Sequence, residues 1–245
     1  MQKQTGNHFR FSIEEALFLE KKLNDVHYHG IASGGLFADI LYMSYYFTSY
    51  ELSLTLRIRE WLQYLNLKHI PKTIETKQAT VSLKNRYLFN YTVNSERLTG
   101  FFPPLVSLFR KEEIAFASKP GEQHEQWHEY PFFTYPGLTK AQYQSWGKQY
   151  RLLEKEFKSV WKAITRTLYI PSEIRTTFMI AAIIQTQRLH FFLEYFEEER
   201  PICVLTDHDR QAFNAALVLA ANAKKYLPTP LCMAQPIRLI FMYPC

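Results

Sequence analysis

Four ionisable residues stand together in the last quarter of the chain: Asp207, His208, Asp209 and Arg210. A carboxylate or an imidazole within hydrogen-bond reach of a hydroxyl group can act as a general base. A guanidinium group binds phosphate or carboxylate in a bidentate manner. The tetrad is therefore a candidate functional site. It is also typical of a helix N-cap with a surface Arg and His, and the sequence leaves both interpretations open.

The tetrad lies between a predicted strand and a predicted helix. The apolar run from Ile202 to Leu205 precedes it, and a segment rich in Ala and Leu follows it. Ligands of open α/β sheets bind outside the carboxyl ends of the strands. We therefore predict that Asp207 and His208 lie at the carboxyl edge of the sheet and that the tetrad is the functional site.

Strand and helix patterns alternate from residue 87 onward, which is typical of an α/β protein. We predict a Rossmann-like parallel sheet covered by long helices near 139–167 and 171–199. The predicted strands lie near 87–93, 113–118, 130–135 and 202–206.

A second polar group follows the first of these strands. Asn94, Glu96 and Arg97 stand just beyond it. Because the carboxyl ends of parallel strands meet at one edge of a sheet, we predict that these three residues lie beside the tetrad.

The first 75 residues are predicted to form a helical segment, and residues 76–245 a Rossmann-like domain. Ser12 and Glu15 have the spacing of a capping box, and further helices are predicted near 36–50 and 52–67. His27 and His29 have the spacing of a metal-binding pair. No third ligand is nearby in sequence, so we interpret them as loop histidines and predict no metal.

The helix predicted at 139–167 has two different faces. Aromatic and aliphatic residues recur along one face at steps of three and four residues, which predicts burial. Acidic lipid head groups would bind the opposite face; a solvated surface is the plainer interpretation. Nucleic acid is not expected, because no aromatic residues interleave the cations. The cations of this basic ridge are Lys148, Arg151, Lys155, Lys158, Lys162 and Arg166.

Composition limits the class of protein further. The chain has 245 residues, 47% of them hydrophobic, and a formal net charge of +6, which suits an anionic partner. It has neither a phosphate-binding loop nor a nucleophile elbow, which argues against a P-loop nucleotidase and an α/β-hydrolase. No apolar stretch is long enough to span a bilayer. We expect a cytoplasmic protein that is peripheral at the inner face of the membrane.

The order of these elements resembles the N-terminal half of a GT-B glycosyltransferase, in particular bacterial enzymes of surface-polysaccharide biosynthesis. The resemblance rests on 87–118, 204–210, 214–221 and Pro228-Thr229. It implies that this half holds a glycan or lipid-linked acceptor. A second half-domain would hold a nucleotide sugar, which is a co-substrate, and no cofactor is required. Asp207 or His208 would then be the catalytic general base. The residues that would bind substrate are Asp209, Arg210, Asn94, Glu96 and Arg97.

The chain departs from the family after Pro228-Thr229. Relatives often carry a His-Gly turn there, whereas residues 230–238 contain none. We expect the tail to be a frameshifted remnant and the chain alone to be inactive; a naturally short protein is the alternative. A non-catalytic domain that binds a sugar, a nucleotide or a partner, and a basic membrane-docking protein, are the other two functional hypotheses.

Overall fold

The computed structural model describes residues 8–37, 40–41, 50–69, 81–91, 102–117, 127–206, 212–225 and 228–230. It has a mixed α/β fold in which a parallel sheet is flanked by helices. The strands are β1 (His8–Phe9), β2 (His27–Tyr28), β3 (Ile31–Ala32), β4 (Tyr50–Glu51), β5 (Tyr87–Asn90), β6 (Ile114–Ala117), β7 (Phe132–Phe133), β8 (Cys203–Thr206) and β9 (Pro228–Pro230).

Five α-helices have defined bounds. They are α1 (Ile13–Leu23), α2 (Leu54–Lys68), α3 (Lys140–Thr167), α4 (Ser172–Glu199) and α5 (Ala212–Ala223). Short helical turns also occur at 34–37, 102–106 and 111–113.

Local sequence signals account for where two of these helices begin. The predicted capping box before α1 is confirmed, since Ser12 Oγ accepts a hydrogen bond from the Glu15 backbone and the Glu15 carboxylate accepts one from the Ser12 backbone. Thr139 and Gln142 form the same arrangement before α3. Both predicted long helices, near 139–167 and 171–199, are confirmed.

The main sheet has five parallel strands in the order β7-β6-β5-β8-β9. All four predicted strand positions are therefore confirmed, and Pro228-Thr229 does begin the edge strand β9. From β5 the chain builds outward in one direction through β6 and β7. It then crosses to the other side of β5 and continues outward through β8 and β9. The direction of winding thus reverses between β5 and β8.

Both faces of the sheet are buried, as is usual for parallel strands. Leu88 and Ala115 point to one face, where they join the core formed with α1, α3, α4 and α5. Phe89 and Phe116 point to the other face, where they pack with Trp127 and the turn at 102–106. This alternation has the period of two residues that strand geometry requires.

The N-terminal region differs from the helical segment we predicted. α1 and α2 are helical, but β1 pairs antiparallel with β4, and β2 pairs antiparallel with β3. The helix predicted at 36–50 is wrong at both ends. Residues 34–37 form a 3₁₀ turn, and Tyr50 lies in β4, where its backbone pairs with Phe9. Residues 42–49 lie outside the described ranges.

His27 and His29 belong to a tight hairpin rather than to an irregular loop. His29 and Gly30 have positive φ values of 51° and 75°, the left-handed pair that a two-residue hairpin turn needs. The hairpin is held against α3, because the His27 backbone N–H donates to Glu156 Oε2 at 2.8 Å.

The N-terminal region and the sheet share one hydrophobic core. Phe11 and Phe37 contact Phe178 of α4, with ring centroids 6.3 Å and 5.6 Å apart. Leu88 and Val204 of the sheet belong to the same cluster. The domain boundary near residue 75 stays a prediction. None of the helices within the described ranges combines the length and apolar character needed to cross a bilayer.

Candidate binding site at the carboxyl edge of the sheet

The reversal of winding defines one place at the edge of the sheet. β5 and β8 are neighbours, and their last residues, Asn90 and Thr206, are register partners. In open α/β sheets the connections from two such strands diverge to opposite faces, which leaves a crevice at their carboxyl ends. Ligands of these folds bind in that crevice, so the β5–β8 edge is the candidate site.

The predicted site residues follow these two strand ends in sequence. Asp207, His208, Asp209 and Arg210 come directly after Thr206. They lie outside the described residues, so their roles stay predictions.

The same holds for the group predicted beside them. Asn94, Glu96 and Arg97 follow Asn90 after a few residues and also lie outside the described ranges. The structure brings together the strands that precede the two groups and does not describe the groups themselves.

Three buried polar side chains lie at the described part of this edge. Asn90, Thr206 and Asn214 are fully buried, and the Asn90 side-chain amide donates to Asn214 Oδ1. Asn214 stands in the first turn of α5, which ties the end of β5 to the helix that follows β8. Residues at the carboxyl end of an apolar strand are expected to be apolar if they serve packing alone, so polar side chains mark this end.

Two atoms of this polar group lack a hydrogen-bond partner among the described residues: Asn90 Oδ1 and Thr206 Oγ1. A buried polar atom left without a partner costs about 1–3 kcal/mol, so such atoms are uncommon in a folded protein. Sequence analysis missed Asn90 and Thr206 as site residues. The signal was there, since each is the polar last residue of an otherwise apolar strand.

The basic ridge on α3 is exposed along its whole length. At 3.6 residues per turn its six cations fall within an arc of about 80° and extend over about 27 Å. Lys158 forms an ion pair with Glu154, with Nζ 3.4 Å from Oε1. The other five cations have no ionic partner within the described part of the chain.

A buried histidine beside the hairpin was also missed. His190 of α4 has its Nδ1 3.0 Å from the hydroxyl of Tyr28, and its ring stacks on His29 with centroids 5.5 Å apart. Its Nε2 lies 3.2 Å from Glu194 Oε1. The Tyr28 hydroxyl donates to Nδ1 when the ring proton is on Nε2, and accepts from Nδ1–H when the proton is on Nδ1.

Burial controls the titration of this cluster. It lowers the pKa of His190, an effect that His29 adds to and that Glu194 opposes. It also lowers the pKa of His29, with Glu194 opposing and Lys224 adding to the shift. Burial raises the pKa of Tyr28, and the Glu194 carboxylate adds to that rise. Burial therefore favours the neutral form of each of these three side chains.

Among the described residues, no group of three His, Cys, Asp or Glu side chains is placed to hold a metal ion. Comparison of the chain with protein-family models, with curated proteins and with solved structures gives no match. The candidate site is therefore identified from its geometry alone.

Proposed function

We propose that this chain is the acceptor-binding part of a glycosyltransferase of the GT-B type, built on a Rossmann-like sheet. The observation that carries the proposal is the strand order β7-β6-β5-β8-β9, with its reversal between β5 and β8. Counted from β5, this is the 3-2-1-4-5 order of doubly wound nucleotide- and sugar-binding folds. The two polar segments singled out by the sequence follow the two strands at that reversal.

In this proposal the acceptor lies across the carboxyl ends of β5 and β8. Asp207 or His208 takes the proton from the acceptor hydroxyl as it attacks the donor sugar. Arg210 binds a phosphate or carboxylate on the acceptor, and Asp209 accepts a hydrogen bond from an acceptor hydroxyl. The buried oxygens of Asn90 and Thr206 supply further polar contacts beneath them.

Asn94, Glu96 and Arg97 contribute to acceptor binding from the β5 side. The donor is a nucleotide sugar held by a second domain that faces this edge. Closure of two domains excludes water and aligns donor with acceptor, which supplies much of the rate enhancement. We therefore expect no sugar transfer by this chain alone.

Ligand binding tests the proposal directly. Titration calorimetry would compare glucose 1-phosphate and N-acetylglucosamine 1-phosphate with UDP. We expect the sugar phosphates to bind weakly and UDP not to bind. We expect Asp207→Asn and Arg210→Gln to weaken sugar-phosphate binding at least about tenfold, because each replaces a charged hydrogen-bonding group with a neutral one. Asp25→Asn, on an exposed turn after α1, is the matched control.

Unchanged binding in Asp207→Asn and Arg210→Gln would mean that the tetrad only caps α5. Steady turnover of a nucleotide sugar by the purified chain would contradict the division of labour between two domains. Sugar binding without any transfer after a donor domain is added would favour a non-catalytic sugar-binding domain.

A second candidate function is docking on an acidic membrane surface through the basic ridge. The supporting observation is the row of exposed cations on α3, five of them without an ionic partner among the described residues. A row about 27 Å long suits a plane of anionic head groups. Such docking would bring the carboxyl-edge site to a lipid-linked acceptor.

Co-sedimentation with vesicles tests this second candidate. We expect binding to phosphatidylglycerol-containing vesicles and not to phosphatidylcholine vesicles, with a loss of binding as salt is raised. The double variant Lys155→Glu/Lys162→Glu should abolish binding, whereas Lys21→Glu/Lys22→Glu on α1 should retain it. Equal binding of both double variants would assign the attraction to net charge alone.

A further inference from the structure

A cleft opens between α2, α3 and α4, away from the sheet. Its volume is about 510 Å³, within the range of small-molecule sites. Apolar side chains from α2 and α4 form the walls, cations stand around them, and a buried carboxylate lies between α2 and α3. The lining residues used below are Leu54, Arg57, Ile58, Trp61, Lys158 and Arg175.

The side chains of α2 that line this cleft are unusually exposed for a helix of 15 residues. α2 has no fully buried side chain, although surface helices normally gain most of their stability by burying an apolar face. Leu54, Ile58 and Trp61 are 71%, 51% and 53% exposed. All three line the cleft, so an apolar group placed there would remove a contiguous apolar surface from water.

Polar contacts join α2 to α3 and α4 beside the cleft. The Tyr64 hydroxyl donates to Glu154 Oε1 at 2.6 Å, and Lys68 Nζ lies 3.0 Å from the same oxygen. One turn before Tyr64 in α2, the Glu60 carboxylate accepts a hydrogen bond from the hydroxyl of Thr177 in α4. Burial opposes ionisation of Glu154, but the hydrogen bonds from Tyr64 and Lys68 outweigh it and lower its pKa.

The charge around the apolar walls is positive. Both Lys68 and Lys158 form ion pairs with Glu154. Because one carboxylate balances only one of these two positive charges, Lys158 gives the cleft a net positive charge. Among the described residues, the one ionic contact of Arg57 is a long one with Glu173, 3.9 Å between Nη1 and Oε1. Arg175 has no ionic partner among the described residues. Two guanidinium groups and an ammonium group thus border one apolar cleft.

We infer that this cleft binds a single hydrocarbon chain that carries a phosphate head group. The chain lies against Ile58 and Trp61, and the head group is bound by Arg175 and Arg57, whose guanidinium groups suit bidentate contacts with phosphate. Lys158 adds a third positive charge. This site is distinct from the carboxyl-edge site and does not depend on the proposed glycosyltransferase function.

Dodecyl phosphate, below its micelle concentration, is the probe. Dodecyl maltoside has the same chain with a neutral head, and inorganic phosphate has the head without the chain. We expect dodecyl phosphate to bind at least about tenfold more tightly than either, because only it uses both the apolar walls and the charged contacts.

Trp61 reports on the cleft by fluorescence. The other three tryptophans, Trp127, Trp146 and Trp161, are buried, so the difference between the wild type and Trp61→Phe isolates the emission of Trp61. We expect dodecyl phosphate to shift this emission to shorter wavelength as the indole leaves water. Binding without a shift of the Trp61 emission would place the chain elsewhere and overturn the proposal.

Two variants with matched controls assign the contacts. Arg175→Gln should weaken dodecyl phosphate at least about tenfold and leave dodecyl maltoside unchanged. Ile58→Ser should weaken both amphiphiles. Arg151→Gln and Leu152→Ser, an exposed cation and an exposed leucine on α3 that do not line the cleft, should change neither.

Three other results would overturn the proposal. Equal affinity for the two dodecyl amphiphiles would mean that charge plays no part. Equal affinity for inorganic phosphate would make free phosphate the ligand. A concentration-dependent dimer in sedimentation velocity that Ile58→Ser abolishes would show that a second copy covers the cleft. The double variant Lys155→Glu/Lys162→Glu should abolish vesicle binding and leave dodecyl phosphate binding intact. This result distinguishes the cleft from membrane docking through the basic ridge.

Discussion

The two long helices α3 and α4 have the same length, 28 residues, yet they are used in different ways. α3 buries one stripe and exposes the other, which carries the basic ridge. α4 buries thirteen side chains spread around its circumference. A helix that is apolar on all sides lies inside a protein, whereas an amphipathic helix lies at its surface.

α4 runs through the larger of the two hydrophobic clusters that the described residues form. Phe178 contacts Phe11, Phe37 and Trp161, and so joins the N-terminal region to α3. Two of its buried polar residues join it to neighbouring elements, since Thr186 bonds α3 and His190 bonds the hairpin. α4 therefore provides stability, whereas the outer face of α3 and the cleft beside it are exposed.

The largest expected effect concerns Phe178. Phe178→Ala should lower the free energy of unfolding by about 3–5 kcal/mol, because it leaves a cavity where three aromatic rings meet. Leu152→Ala on α3, where the leucine is 60% exposed, should change it by less than about 0.5 kcal/mol. Urea unfolding followed by circular dichroism measures both. Similar losses in the two variants would contradict the contrast between α4 and α3.

A smaller effect is expected at the bond between the two helices. Trp146 Nε1 donates to Thr186 Oγ1 at 2.9 Å, and both residues are buried. Thr186→Val keeps the shape but leaves the indole N–H without its acceptor, which should cost about 1–3 kcal/mol. Thr186→Ser, which retains the hydroxyl, is the control and should cost less. Equal unfolding midpoints for Thr186→Val and Thr186→Ser would mean that this hydrogen bond contributes nothing to stability.

The third effect depends on pH and arises where His190 of α4 contacts the hairpin. His190 and His29 have lowered pKa values in the folded protein, whereas an unfolded histidine titrates near 6.5. Between these values the unfolded chain binds more protons, so stability rises with pH and is lost as the pH falls below about 6.5.

Thermal unfolding at pH 5.0 and pH 7.5 checks this sign. We expect the wild type to be less stable at pH 5.0, and His190→Asn, which keeps an acceptor near the Tyr28 hydroxyl, to show a smaller difference between the two pH values. The comparison with the variant removes the contribution of carboxylates elsewhere. An unchanged pH difference in His190→Asn would show that the histidine pair does not titrate during unfolding.

The smallest effect on stability is expected on the basic ridge. Lys155→Glu/Lys162→Glu replaces two exposed cations without a partner among the described residues, so the free energy of unfolding should change by no more than about 0.5 kcal/mol per site. Urea unfolding of this variant beside the wild type is the measurement. A large loss would mean that these lysines take part in the fold, and vesicle binding would then need variants with milder changes, such as Lys to Gln.

The sequence by itself determined the elements whose signal is local. The apolar runs before Asn90 and Thr206, the capping residues Ser12 and Thr139, and the spacing of apolar residues along α3 each depend on neighbours within a few positions. These patterns predicted the four main strands and both long helices. They also placed the two polar segments after strands, although the side chains of those segments stay outside the described residues.

The tertiary structure decided what depends on contacts between distant segments. The order of strands puts Asn90 beside Thr206 across more than a hundred residues, and no local pattern encodes that pairing. The hairpin at His29 has strands of two residues, too short for a periodicity to develop. The cleft exists only where α2, α3 and α4 meet. Burial and proximity are properties of packed elements, so the sequence predicts the pieces and packing alone brings their side chains together.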